Sequence, residues 1–323
     1  MAAPGPWRAG PARPHPRRAA AATRWLARLT CPETGATPRL GHQDGSCLAD
    51  LSLRGPADAR GSVERAARLF LRATAGVADD PGCAWLGLPP GPPTPADTAW
   101  RCDGSRGWRD GRVRVLLRTG PLRFRPGHAD LLHLDLWDGL ENVLRDAGTG
   151  AYNPPAQDAW WSDHFPAARA HNVVTFDDAE PMPRASRFLF ARWPATEVLP
   201  GGAATRDARG NRHARTVRRE GAEWVVEDRV SGPFRHLALR WHLPPGPWEV
   251  SGGSVTDGRI RLILSADAAV SLTLEPAWES PGYGEVRGLP CLVLRAPAPV
   301  TCLTTRIRLG PATGDCAPAR QGV

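Results

Sequence analysis

The chain has no lysine. All 41 of its basic residues are arginine, against 33 acidic ones, and the formal charge is +8. Tyrosine and methionine occur twice each. The seven cysteines, at 31, 47, 83, 102, 291, 302 and 316, form no CxxC pair. An odd number at irregular spacing argues against a disulfide framework and against a cysteine-built zinc site. No apolar run approaches the roughly 18–20 residues that cross a bilayer. The arginine-rich start lacks the apolar core of a signal peptide. Fixed-period repeats, a helix-turn-helix, an RNP pattern and finger spacing are all missing, so nucleic-acid binding would rest on charge alone. The charge itself leaves two readings open. Arginine is the default surface cation of this composition, or the surface attracts a polyanion such as an acidic polysaccharide.

What is present divides the 323 residues into unlike parts. Residues 1–30, rich in Pro, Arg and Ala, read as a disordered leader. Residues 31–80 hold one helical signal, "GSVERAARLFLRATAG" over 61–76. Val63, Ala66, Ala67, Phe70 and Leu71 give it an apolar stripe, Gly76 can end it, and nothing near it supplies a bundle partner. It reads as the last piece of a larger helical domain. Residues 81–99 read as a proline-rich linker. From 100 to 315 short alternating runs recur between Gly, Pro and Asp clusters: "GRVRVLLRTG", "HNVVTFD", "HLALRWHL", "GRIRLILS", "CLVLRA" and others. "TVRREGAEWVVEDRV" reads as a hairpin with glycine in its turn. About ten strands with no helix between them predict an antiparallel β-sandwich.

One stretch, "RPGHADLLHLDLW" over 125–137, carries chemistry as well as pattern. Alternation puts Leu132, Leu134 and Leu136 on one strand face and His133, Asp135 and Trp137 on the other. His128 and Asp130 stand at the strand's mouth. Four of the nine histidines (128, 133, 164 and 171) gather here with Asp130, Asp146 and Asp163. Zinc takes imidazole nitrogen and carboxylate oxygen from three or four protein ligands. His128, Asp146 and His171 each sit near a strand start or a loop, so three loops at one sheet edge could bring them together. By spacing alone, each also reads as an ordinary hydrogen-bonding residue.

The run "GHADLLHLDLW…DAGTGAYN…RAHNVVTFDDAEPM…RFLFARW" resembles the C-terminal half of the heparinase II/III-like family. These are bacterial polysaccharide lyases with a helical toroid followed by an antiparallel β-sandwich. "TPRLGHQDGSCLADLSLRG" is similar to the end of the toroid in one branch, so the resemblance spans about residues 35–310. It implies a zinc site formed by His128, Asp146 and His171. Asp130 would then orient His128, or simply close the turn. The implied reaction is β-elimination on a uronate-containing acidic glycan. Tyr152 is the candidate proton carrier. Substrate contacts would come from His42 and Asp44 in "GHQDG", from Arg169, and from Asn172, which would bond substrate or backbone. The resemblance also implies a periplasmic or cell-surface location. It breaks in four places. Pro126 stands where many relatives have the first His of H-G-H. Ala147 and Gly150 interrupt D-P-G-T-Y. Val173 replaces a Thr. Most of the toroid, which supplies the family's principal catalytic groups, has no counterpart. A non-catalytic, zinc-stabilised carbohydrate-binding or structural sandwich is the alternative.

Overall fold

The computed structural model describes residues 15–311 except 47, 48, 56, 96, 103 and 124. The first half of the expected leader, residues 312–315 of the expected sandwich, linker residue 96, Cys47 and Cys316 lie outside the described residues. The chain divides into two compact units, Met1–Thr37 with Ser46–Asp97, and Pro38–Gly45 with Thr98–Val323. The segment carrying His42 and Asp44 therefore belongs to the second unit.

The first unit is helical. α1 (His15–Leu29) forms where a disordered leader was expected. Its sequence, HPRRAAAATRWLARL, is dominated by the best helix formers, and Pro16 falls in the first turn, where proline is tolerated. α1 packs on α2 (Arg60–Ala66) and on the wide π-turn Ala67–Leu71 that continues α2. The expected helix over 61–76 thus has a partner, but it is shorter and changes pitch at Ala67. The wider turn shifts the stripe, so Val63 and Ala67 are buried while Phe70 is exposed. The helix ends at Arg72, in the left-handed region, and not at Gly76. The start of the expected linker is α3 (Pro81–Trp85), with Asp80 accepting the Cys83 N–H as its cap.

The second unit is an antiparallel β structure of three main sheets. The first five strands, from Ala99–Cys102 to Glu141–Leu144, form a meander. An eight-stranded sheet is centred on Glu223–Ser231, which lies between Arg212–Glu220 and Cys302–Leu309. A four-stranded sheet runs Ser271–Glu279, Arg287–Pro297, His236–His242, Val174–Phe176. One apolar core takes Leu117, Leu134 and Leu136 from the first sheet, Trp224, Val226, Leu262 and Ile307 from the second, and Leu237, Leu239 and Leu294 from the third. This is the predicted sandwich. The predicted hairpin is also present, with Glu220 opposite Glu223 across a two-residue turn.

The alternation over 131–137 needs correction. The strand begins only at Leu134; Leu132 sits in a turn at φ +65°. Both faces are buried, since His133 and Asp135 are as inaccessible as the leucines. A charged pair buried beneath this segment was not foreseen. Arg215 is fully buried over the Trp241 ring, 4.7 Å from its centroid. Its Nε and Nη2 donate to Asp228 at 2.6 and 3.1 Å, and its Nη1 donates to the carbonyls of Leu132 and Asn172. His213 Nε2 lies 2.6 Å from the same carboxylate. No described helix is long and apolar enough to cross a membrane, and the described cysteines are free thiols.

Candidate metal centre and adjoining hollow

Three segments converge beyond the Leu134 strand. The first carries His128, with the Asp130 carbonyl accepting the His133 N–H to close its turn. The second is the loop at Asp146. Its Oδ1 accepts the Gly148 N–H at 2.8 Å, a local turn that carboxylates favour. Gly148 has φ +81°, and a Cβ there would lie 2.5 Å from the Ser280 carbonyl oxygen, so only glycine fits. The third is the short turn Ala168–Ala170 leading into His171.

Asn172 fastens the three together. Its Nδ2 donates to the carbonyls of Leu134 (2.9 Å) and Arg145 (3.2 Å). Its Oδ1 accepts the His242 N–H at 2.7 Å, and its own N–H donates to His133 Nδ1 at 3.0 Å. Of the two partners expected for Asn172, substrate or backbone, the structure shows backbone. Asn172 is fully buried, and both its amide groups are committed inside the protein.

Within this frame His128, Asp146 and His171 bring one ligand atom each to within 4.8 Å of one another, and each side chain is at most 1% exposed. His171 Nδ1 lies 2.7 Å from Asp146 Oδ2. Both ring nitrogens of His128, and Nε2 of His171, are buried without a hydrogen-bond partner. Buried nitrogens left unbonded are costly, and a cation accepting one lone pair from each ring removes part of that cost. Two imidazoles and a carboxylate are also a donor set zinc accepts. The residues fit the ion the family resemblance implies.

Charge follows the same geometry. Burial, followed by the neighbouring His171, pushes the His128 imidazole down to about 3. Burial opposes the charge on Asp146, but His171 and His133 hold its carboxyl well below the usual range. Burial lowers His171, and Asp146 more than reverses this, so its pKa is raised. Of the two roles expected of Asp130, orienting His128 or closing the turn, it makes no hydrogen bond to His128 and its carbonyl closes the turn. Its Oδ2 lies 3.2 Å from Arg118 Nε, which with the nearby histidines outweighs its burial and keeps it ionised.

These directions set an acid response in the metal-free chain. His128 at about 3 and His164 at about 4, both lowered chiefly by burial, stay neutral in the folded state. The unfolded chain takes up those protons near 6.5. Stability is therefore complete above about 6.5 and falls as pH drops toward 4. His171, being raised, contributes oppositely: its share is full at low pH and is lost as pH rises through its own value. With chelator present, the melting temperature should fall steadily between pH 7 and pH 4. A flat profile across that range would refute the burial argument.

A hollow adjoins the cluster, lined by His42, Thr149, Tyr152, Arg184, Arg187 and Phe188 among others. Segment 38–45 is fixed by Thr149 Oγ1, which accepts the Gln43 N–H, and by Arg39, which donates to Glu279. The His42 ring lies edge-on to His128, Tyr152 and Phe188, with centroids 5.3, 5.2 and 5.6 Å away. It rests on Gly127, where a Cβ would come within 2.7 Å of the imidazole. Burial, then the charge of Arg184, lowers the His42 pKa. Burial and the Asp44 carboxylate, which the Tyr152 hydroxyl meets, raise that of Tyr152.

The structure thus brings His42, Asp44 and Tyr152 together as expected residues of one surface. Arg169 does not join them: it is exposed, beside His164, and does not line the hollow. Sequence reasoning missed Arg184, Arg187, Phe188 and Tyr283, whose hydroxyl accepts the Tyr152 N–H at 2.9 Å. The available signal was the cluster "RASRF" over 184–188, whose last two residues open the quoted "RFLFARW".

Comparison with known proteins agrees with this architecture. The family model for the heparinase II/III-like C-terminal domain matches residues 98–302. No curated protein gives a significant match. Among solved structures, the crystal structure titled heparinase III is 13% identical with a TM-score of 0.69, covering 93% of this chain and 49% of that one. The heparinase III gene product BT4657 is 15% identical, with a TM-score of 0.68 and coverage of 90% and 46%. Heparan sulfate lyase HepC from Pedobacter heparinus is 17% identical, with a TM-score of 0.63 and the same coverage. The chain spans a little under half the length of these solved structures.

Proposed function

The chain belongs to the heparinase II/III-like family, and from that premise we propose that it acts as a polysaccharide lyase on a uronate-containing acidic glycan by β-elimination. The observation that carries the reading is the composition of the hollow. One concave surface holds an imidazole, a phenol and two guanidiniums, next to a buried His–Asp–His cluster.

Each group has a task in the reaction. Arg184 and Arg187 would neutralise the uronate carboxylate, which makes the C5 proton acidic enough to remove. His42, its pKa lowered, is neutral and able to accept that proton. Tyr152, its pKa raised, keeps its proton and can give it to the glycosidic oxygen at C4. The C4–O bond breaks as the C4–C5 double bond forms. The products are a saturated chain end and an unsaturated uronate. Zinc would be held by His128, Asp146 and His171, where it would supply positive charge and a cross-link between three loops.

The test is incubation of the full chain with heparan sulfate and with alginate, following ultraviolet absorbance from the unsaturated uronate. Absorbance should rise with one of them. Tyr152→Phe and His42→Ala should each cut the rate about 100-fold or more. Products with saturated ends only would overturn the elimination mechanism. A second reading, a binding or structural sandwich with a structural zinc, is favoured by the near-complete burial of the three ligand side chains, since structural zinc sites are closed. Binding without any product in the same assay would select it. Under either reading the protein would work in the periplasm or at the cell surface, where acidic polysaccharides are met.

A further inference from the structure

Two tryptophans stand apart from the hollow, one before the short helix Trp161–His164 and one near the end of the strand Ser271–Glu279. Trp160 and Trp278 are 38% and 42% exposed, with ring centroids 5.3 Å apart at 53°. Trp278 lies one residue before the end of the strand Ser271–Glu279. The connection that follows, 280–286, is pinned to the Asp146 loop at two points. The Ser280 N–H donates to the Ala147 carbonyl at 2.6 Å, and the Gly284 N–H to the Gly150 carbonyl at 2.8 Å. Between those points Tyr283, also exposed, meets Tyr152 at 5.2 Å. Trp160 stacks on Phe165, whose ring packs so tightly on Gly150 that a Cβ there would be 2.5 Å away. The tryptophan pair and the Tyr152–Tyr283 pair are thus tied to the same Asp146–Gly150 loop, the first through the buried Phe165 and the second through the 280–286 connection.

The charge beneath it is unbalanced. Glu279, fully buried, accepts from Arg39, Arg145 and Arg287 at 2.8 Å each. Three guanidiniums share one carboxylate, and the excess reaches the surface at Arg287, whose side chain is 55% exposed. The connection's own acid, Glu285, folds back over Gly282. Exposed aromatic faces on a strand whose next position, Glu279, pairs with the exposed Arg287 match a chain of uronate pyranoses. The C–H faces of such rings pack on indole, and their carboxylates seek cations.

We propose that Trp160 and Trp278, with Tyr283 and Arg287, form an extension subsite for a further stretch of the acidic glycan engaged at the hollow. The proposal rests on the reading of the hollow as an acidic-glycan site. It makes affinity depend on chain length, because only a longer oligosaccharide reaches both surfaces.

The test is calorimetric titration of the full chain with disaccharides and hexasaccharides prepared from alginate and from heparan sulfate. The hexasaccharide should bind the unaltered chain more tightly than the disaccharide. Trp278→Ala and Trp160→Ala, both at exposed positions, should each weaken the hexasaccharide about tenfold and leave the disaccharide within about twofold. Equal affinity for both lengths, or a loss in the variants that is equal for both lengths or absent, would overturn the subsite and leave the hollow's reading intact. No binding of either length by the unaltered chain would overturn both.

Discussion

Replacing Asp228 by alanine will destabilise the second unit by about 3–5 kcal/mol, the usual cost of leaving a buried charge without its partner. Arg215 has no route to water: it lies fully buried between the Asp228 carboxylate, the Trp241 ring and the Leu132 and Asn172 carbonyls. The Asp228 carboxyl is held down to about 2, with Arg215 and His213 outweighing its burial. Its contribution is thus complete above the ordinary carboxylate range and is lost only as pH falls toward about 2. In a thermal melt at neutral pH the variant should lose roughly 6–20 °C. The double replacement Arg215→Met with Asp228→Leu should recover most of that loss, because an apolar pair of similar volume needs no compensating charge. A loss below about 1 kcal/mol for Asp228→Ala would show that the pair is not the anchor described here.

The second large effect concerns metal. Adding zinc to chelated protein at about a hundred times its dissociation constant should stabilise the fold by about 2.7 kcal/mol, since the ion binds the folded state. His171→Ala should abolish that response, because it removes one of the three ligands clustered among the described residues. Thermal melts of both proteins with and without added zinc measure it. A variant that gains as much from zinc as the parent chain would place the ion elsewhere.

These sites differ in how far the sequence discloses them. The sandwich was legible because its strands alternate, and His128, Asp146 and His171 were legible because the quoted motifs flank them. The Arg215–Asp228 pair was not found, although counting outward from the turn between Glu220 and Glu223 places the two opposite each other. Strand alternation marks a position's face but not whether a charge on it is buried. Asn172 stays open between substrate and backbone in the sequence for a related reason. A polar residue beside a candidate metal ligand serves substrate or scaffold equally well in sequence, and only its four bonds to three separate segments decide. The α1 helix was missed because proline and arginine masked an alanine-rich core. The hollow was half visible. His42, Tyr152 and Arg187 lie on motifs, but the "RASRF" cluster does not announce that the two-stranded hairpin at Arg184–Ser186 and Leu189–Phe190 brings its arginines to the hollow.

Elemental analysis tests most directly whether the buried His–Asp–His cluster holds a metal ion. The full chain, exposed to zinc and then desalted, should retain about one ion per chain, and His128→Ala and His171→Ala should retain almost none. A folded parent chain without zinc, or full zinc content in either variant, would contradict a metal ion there.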